Sequence, residues 1–153
     1  MSKLNKILCC LGLAVVGIYA TAGLIFPEPE WKEVYGLVSK NGEHLYFDSS
    51  TLIATYVDHT VISGGDFLIT LDKPTTINVD GKTIMVTSMM KGVVMNCKTG
   101  IMSAVYEMYF NGPKFPSNKD APIHSKEFGN TKDNFYNYGK KTPVYSILCP
   151  VLA

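Results

Sequence analysis

Short stretches of alternating apolar and polar residues, punctuated by turn residues, run along most of the chain and predict strands rather than helices. Trp31-Lys-Glu-Val-Tyr-Gly-Leu-Val38 begins one strand, and Asn41-Gly42 supplies a tight hairpin turn into a return strand over residues 43–48. Asp48-Ser-Ser-Thr51 is a polar break whose side chains can bond the nearby backbone and stop the strand. Thr60-Val-Ile-Ser63 and Phe67-Leu-Ile-Thr-Leu71 are rich in β-branched and aromatic residues. Gly64-Gly65 between them is either a hairpin turn or a bulge in one long strand.

Lys73-Pro74 predicts the start of a loop, and Asp80-Gly81 another turn. Residues 83–97 form the longest strand candidate, with an irregularity around Lys91-Gly92. Lys98-Thr99-Gly100 turns the chain into residues 101–110, where alternation places Met102, Ala104, Tyr106, Met108 and Phe110 on one face. From Asn111 to about Lys132, Gly112, Pro113, Pro116 and Pro122 predict a long surface loop. The aromatic tail contains Phe135, Tyr136 and Tyr138. After Pro143, a favoured first helical position, residues 144–149 can form a short helix. The predicted class is α+β: a single antiparallel β-sheet of about six strands with a C-terminal helix.

The first residues read as an address. Lys3 and Lys6 precede an uncharged run over residues 7–22 that ends in Ala20-Thr21-Ala22. Basic start, apolar middle and small residues at −3 and −1 describe a signal peptide over residues 1–22, cut before Gly23. The alternative, an uncleaved anchor, has a shorter apolar run than the ~20 residues that cross a bilayer. Cys9 and Cys10 lie too early for a lipoprotein motif. Residues 23–30, with Pro27 and Pro29, form an extended leader into one domain over residues 31–153.

Export changes the meaning of the cysteines. After cleavage only Cys97 and Cys149 remain, in a compartment where disulfides persist. Their pairing would clamp the tail onto a central strand. Free thiols in a redox or metal role are the alternative, but the close Cys-x-x-Cys or Cys/His spacing of such sites is absent.

All fourteen basic residues are lysine, against thirteen acids. Without a basic excess or arginine's bidentate fork, nucleic-acid binding is disfavoured. His44, His59 and His124 are too scattered to predict a metal site, and no Gly-x-Ser-x-Gly elbow occurs. The reading is therefore non-enzymatic. Met85, Met89, Met90, Met95, Met102 and Met108 flank the 98–100 turn. They read as core filler, and as the place to look if haem or another flat apolar ligand binds. In the loop and tail, Lys114, Phe115, Phe128, Phe135, Tyr136 and Tyr138 are candidate contact residues for a partner.

The order of these features resembles the surface-adhesin protein E family of Gram-negative bacteria. Its landmarks here are the signal peptide, Trp31, Tyr46-Phe47-Asp48 with Ser50, Met95-Asn96-Cys97, and Cys149. The resemblance implies a six-stranded antiparallel sheet with a C-terminal helix held to its concave side by the disulfide. It also implies a homodimeric surface protein that binds host matrix and serum proteins such as vitronectin and laminin, with an association to haem. The family's founding member is lipid-anchored, whereas this chain has no usable lipobox.

Overall fold

A computed structural model of the chain describes residues 27–38, 42–129, 135–137 and 139–150. The expected signal peptide over residues 1–22 and Tyr138 lie outside the described residues. Eight strands and one helix follow in order: β1 Trp31–Val38, β2 Glu43–Asp48, β3 Ile53–Val57, β4 Thr60–Val79, β5 Lys82–Asn96, β6 Ile101–Phe110, β7 His124–Glu127, β8 Phe135–Asn137 and α1 Pro143–Leu148. All pairings are antiparallel. Six strands form a continuous path, β1-β2-β4-β5-β6-β7, and β3 and β8 are short additions on β4 and β6. The count is thus eight rather than about six, because β4 and β6 each carry two short partners end to end along one edge.

The turn residues explain this path. Asp80 and Gly81 adopt φ 50° and 77°, and Gly100 adopts φ 74°, so these turns sit where the sequence places them. The β3–β4 turn is different. Asp58 and His59 both take positive φ, 46° and 61°, without a glycine, and this is why Ile53–Val57 escapes a reading based on glycine turns.

One open alternative is settled and two expectations are corrected. Gly64-Gly65 lies within one long strand and is no turn: β4 passes through it in unbroken register with β5 from Ile62 to Thr70. Both glycines are required by packing, since a Cβ on Gly64 would lie 2.8 Å from the Val93 carbonyl oxygen and one on Gly65 2.8 Å from the Phe47 ring. Lys73-Pro74 does not end the strand either. The register shifts between Thr70 and Thr75 and then resumes to Val79, making β4, at 20 residues, the longest strand. Finally, the 111–132 loop contains β7.

The irregularity near Lys91-Gly92 is a bulge on β6. Gly92 pairs Tyr106 while Val93 pairs Ala104, leaving Val105 as the extra residue. Side chains before and after it therefore face opposite sides. Met102 and Ala104 point toward α1, and Tyr106, Met108 and Phe110 point away, so the five do not share one face.

The α1 side holds the main core, with Phe47, Phe67, Met95 and Met102 packed on Val144, Tyr145 and Leu148. At six residues α1 is too short to persist alone. Thr142 caps it, its hydroxyl accepting from Tyr145 N at 3.2 Å, and Pro143 occupies the first turn. Cys97 and Cys149 form a disulfide with Cα atoms 5.7 Å apart, and the Tyr145 hydroxyl donates to Cys97 O at 2.8 Å. The expected clamp is present. No helix among the described residues is long and apolar enough to cross a membrane.

Candidate functional site

The sheet face opposite α1 is roofed by the leader 27–30 and the proline-rich segment 111–123. Pro113, Pro116 and Pro122 cannot donate to a strand ladder, and side chains of neighbouring elements help to anchor the segment. Trp31 Nε1 donates to Pro116 O at 3.4 Å, Ser88 Oγ to Pro113 O at 3.3 Å and Asn118 Nδ2 to Pro27 O at 2.8 Å. The leader is tied in by Glu30 N, which donates to Asp48 Oδ1 at 3.0 Å, and by Ser49 N, which donates to Glu30 O at 3.2 Å.

Between roof and sheet lies a cleft of about 370 Å³. Met90, Met108 and Phe110 give it an apolar floor, Asp48 and Asp66 are in its wall, and Asp120 lies at its loop side. No lysine or histidine among the described residues lines it.

The two wall carboxylates are 3% and 9% exposed, and each is half committed to the fold. Asp48 Oδ1 accepts from Glu30 N, Ser50 N and Ser50 Oγ at 3.0, 2.9 and 2.7 Å. Asp66 Oδ1 accepts from the Tyr106 hydroxyl at 2.6 Å. The second oxygen of each has no protein donor among the described residues. Burial raises the Asp66 carboxyl to about 6; the Tyr106 bond opposes this and the nearby Asp48 charge adds to it. Asp120 is held below the usual carboxylate range by bonds from Ser117 N and Ser117 Oγ, at 2.7 and 2.8 Å.

The sequence alone does not mark this pair, and Asp48 reads there as a strand stop. A signal existed in Asp66, a lone charge inside the apolar run Ile62-Ser-Gly-Gly-Asp-Phe-Leu-Ile69. Such a residue in a central strand must find partners in the fold.

Of the expected contact residues, Lys114 and Phe115 do not share a surface with Phe128. Lys114 and Phe115 lie near β2: Phe115, 45% exposed, meets the Tyr46 ring edge-on with centroids 4.9 Å apart, and Lys114 Nζ is 3.7 Å from Asp72. Phe128 lies at the far side of the sheet, its amide bonded to Val105 O of β6 and its ring 5.5 Å from Lys126 Nζ. Phe135 and Tyr136 belong to β8, in register with Ser103 and Met102, and nothing of their side chains is described.

The methionines also separate. Met95 and Met102 pack under α1, Met89 packs in the cluster around Val86 and Tyr109, Met85 is exposed, and only Met90 and Met108 reach the cleft. These residues do not fit haem: its propionates would meet the carboxylates of Asp48, Asp66 and Asp120, and the thioethers do not converge. His44 lies between Glu33 and Asp72, and His124 beside Asp80. Among the described residues no group of three or more His, Cys, Asp or Glu side chains could hold a metal ion.

Compared with models of protein families, with curated proteins and with solved structures, the chain finds no match in any of the three. The cleft is therefore read from its own chemistry.

Proposed function

We propose that the protein is an exported, non-enzymatic binding module that takes its ligand in the roofed cleft. The observation carrying this reading is the cleft itself: an apolar floor beside two buried carboxylates, each with one oxygen left for a partner. A mostly apolar concavity with a few convergent polar groups is the ordinary form of a recognition site. The Cys97–Cys149 disulfide favours an oxidising compartment and so supports export.

The resemblance to the protein E family, carried by Trp31, Tyr46-Phe47-Asp48 and the two cysteines, makes vitronectin and laminin the first macromolecular partners to test. The purified exported protein is expected to bind one of them at micromolar concentration, or to give small-molecule hits in a ligand-observed NMR screen. Met108→Trp, which fills the cleft floor, should remove that binding while near-UV circular dichroism still reports a folded sheet. Absence of both kinds of binding, or binding indifferent to Met108→Trp, would overturn the reading.

A further inference from the structure

The unpaired second oxygens of Asp48 and Asp66 set the chemistry of the occupant. Both side chains are at least nine-tenths buried, both line the cleft, and neither lysine of the roof, Lys114 or Lys119, is among the residues that line it. Two carboxylates near one another with no cationic side chain among the described lining residues are costly, and a proton or a cationic ligand relieves that cost.

We propose that the cleft binds a primary ammonium group on a short apolar stem, with Asp48 and Asp66 receiving the charge and Met90, Met108 and Phe110 sheathing the stem. This rests on the reading of the cleft as a binding site and names the ligand class for it.

Three alternatives fit less well. A hard divalent ion takes six or more oxygen ligands, whereas the described residues hold no group of three ligating side chains, and the floor is thioether and aromatic. A guanidinium presents a planar fork suited to both oxygens of one carboxylate, but here each carboxylate has one oxygen already engaged. An ammonium is compact, carries three rotatable donors and can reach one oxygen on each of two carboxylates. An anion is excluded by the like charges of Asp48, Asp66 and Asp120. The volume, about 370 Å³, suits a ligand of side-chain size. Methionine and phenylalanine side chains along the floor favour the apolar stem.

Primary ammonium can come from a free amine or from a lysine side chain of a partner protein, and the test distinguishes them. The probes are cadaverine, Nα-acetyl-lysine methylamide, its neutral isostere Nα-acetyl-norleucine methylamide, and calcium chloride. The readout is titration of the Met90 and Met108 methyl resonances in the intact protein.

Both amines are expected to shift these methyls at pH 7. Asp66→Asn and Asp48→Asn, which keep the acceptors for Tyr106 and Ser50, should weaken the amines by roughly ten- to a hundredfold each, the loss of one charge-assisted bond. Asp120→Asn at the loop side, which threatens the fold least, should weaken them severalfold. Lowering the pH from 7 to 5 should also weaken binding, because the Asp66 carboxyl takes up a proton.

Tighter binding of the lysine amide assigns the site to a protein side chain, and equal or tighter binding of cadaverine assigns it to free amines; either outcome supports the proposal. If the norleucine amide binds as well as the lysine amide, the ammonium assignment is overturned while the cleft stands as a site. If calcium alone shifts the methyls and Asp66→Asn abolishes that shift, the ligand is a metal and the proposal is wrong. If no probe binds and the Met108→Trp test also fails, the binding reading falls with it.

Discussion

Tyr106 crosses Gly92 to place its hydroxyl 2.6 Å from Asp66, two strands away. The crossing works because position 92 has no side chain: a Cβ there would lie 2.2 Å from Tyr106 Cε1. Three adjacent strands thus contribute a carboxylate, an empty position and a phenol to one arrangement at the cleft wall.

Gly92→Ala should therefore displace the Tyr106 ring and cost about 1–3 kcal/mol from overpacking, more if the hydroxyl bond is lost with it. Gly112→Ala, where a Cβ meets nothing within 4 Å, is the matched control and should be near neutral. Urea denaturation of the two variants checks the difference.

Asp66 should give the stability curve an unusual slope. Its folded value, about 6, lies above the unfolded 3.8, so the folded state holds the proton more tightly. Its contribution is full below about pH 4 and is lost as pH rises through 6, an effect of about 3 kcal/mol. Asp80 and Asp120 have lowered values and lose their contribution only as pH falls below that window, so they do not mask it. Melting temperatures between pH 4 and 7 should show the decline. Asp66→Asn should flatten it, and Tyr106→Phe, which removes the bond that holds Asp66 down, should extend it to higher pH.

Thr70 Oγ1 is buried with no hydrogen-bond partner among the described residues, on a side chain with 0% exposure. Thr70→Val replaces that hydroxyl with a methyl of similar size and should stabilise the protein by about 1 kcal/mol, since an unsatisfied buried hydroxyl carries a desolvation penalty. A lower denaturation midpoint than wild type would contradict the assignment.

The disulfide joins residues 52 apart in sequence. The double change Cys97→Ser and Cys149→Ser should cost about 4 kcal/mol by the chain-entropy relation. Much of the effect should fall on α1, whose six residues depend on this tether and on Tyr145. Peptide mapping of the non-reduced protein should recover a Cys97–Cys149 crosslink, and hydrogen exchange in the double variant should show α1 losing protection first.

His59 holds φ 61° after Asp58 at φ 46° in the β3–β4 turn. His59→Gly relieves a left-handed conformation that ordinary residues disfavour, and should raise stability by about 0.5–1 kcal/mol. A thermal melt checks the sign.

What the sequence determined by itself was local. Alternation marked β1, β2, β5 and β6, Asp80-Gly81 and Gly100 fixed turns between strands, Pro143 placed α1, and Cys97 and Cys149 pointed to the clamp. Each rests on a preference that a few consecutive residues express. The tertiary structure decided what depends on neighbours distant in the chain. Gly64-Gly65 reads as a possible turn until Val93 and Phe47 are seen packing against it. Val105 becomes a bulge only through its register with β5, and that one extra residue turns Tyr106 toward Asp66 and Met108 toward the cleft. The paired carboxylates of Asp48 and Asp66, eighteen positions apart, meet only because β2 lies beside β4 and the leader folds over both.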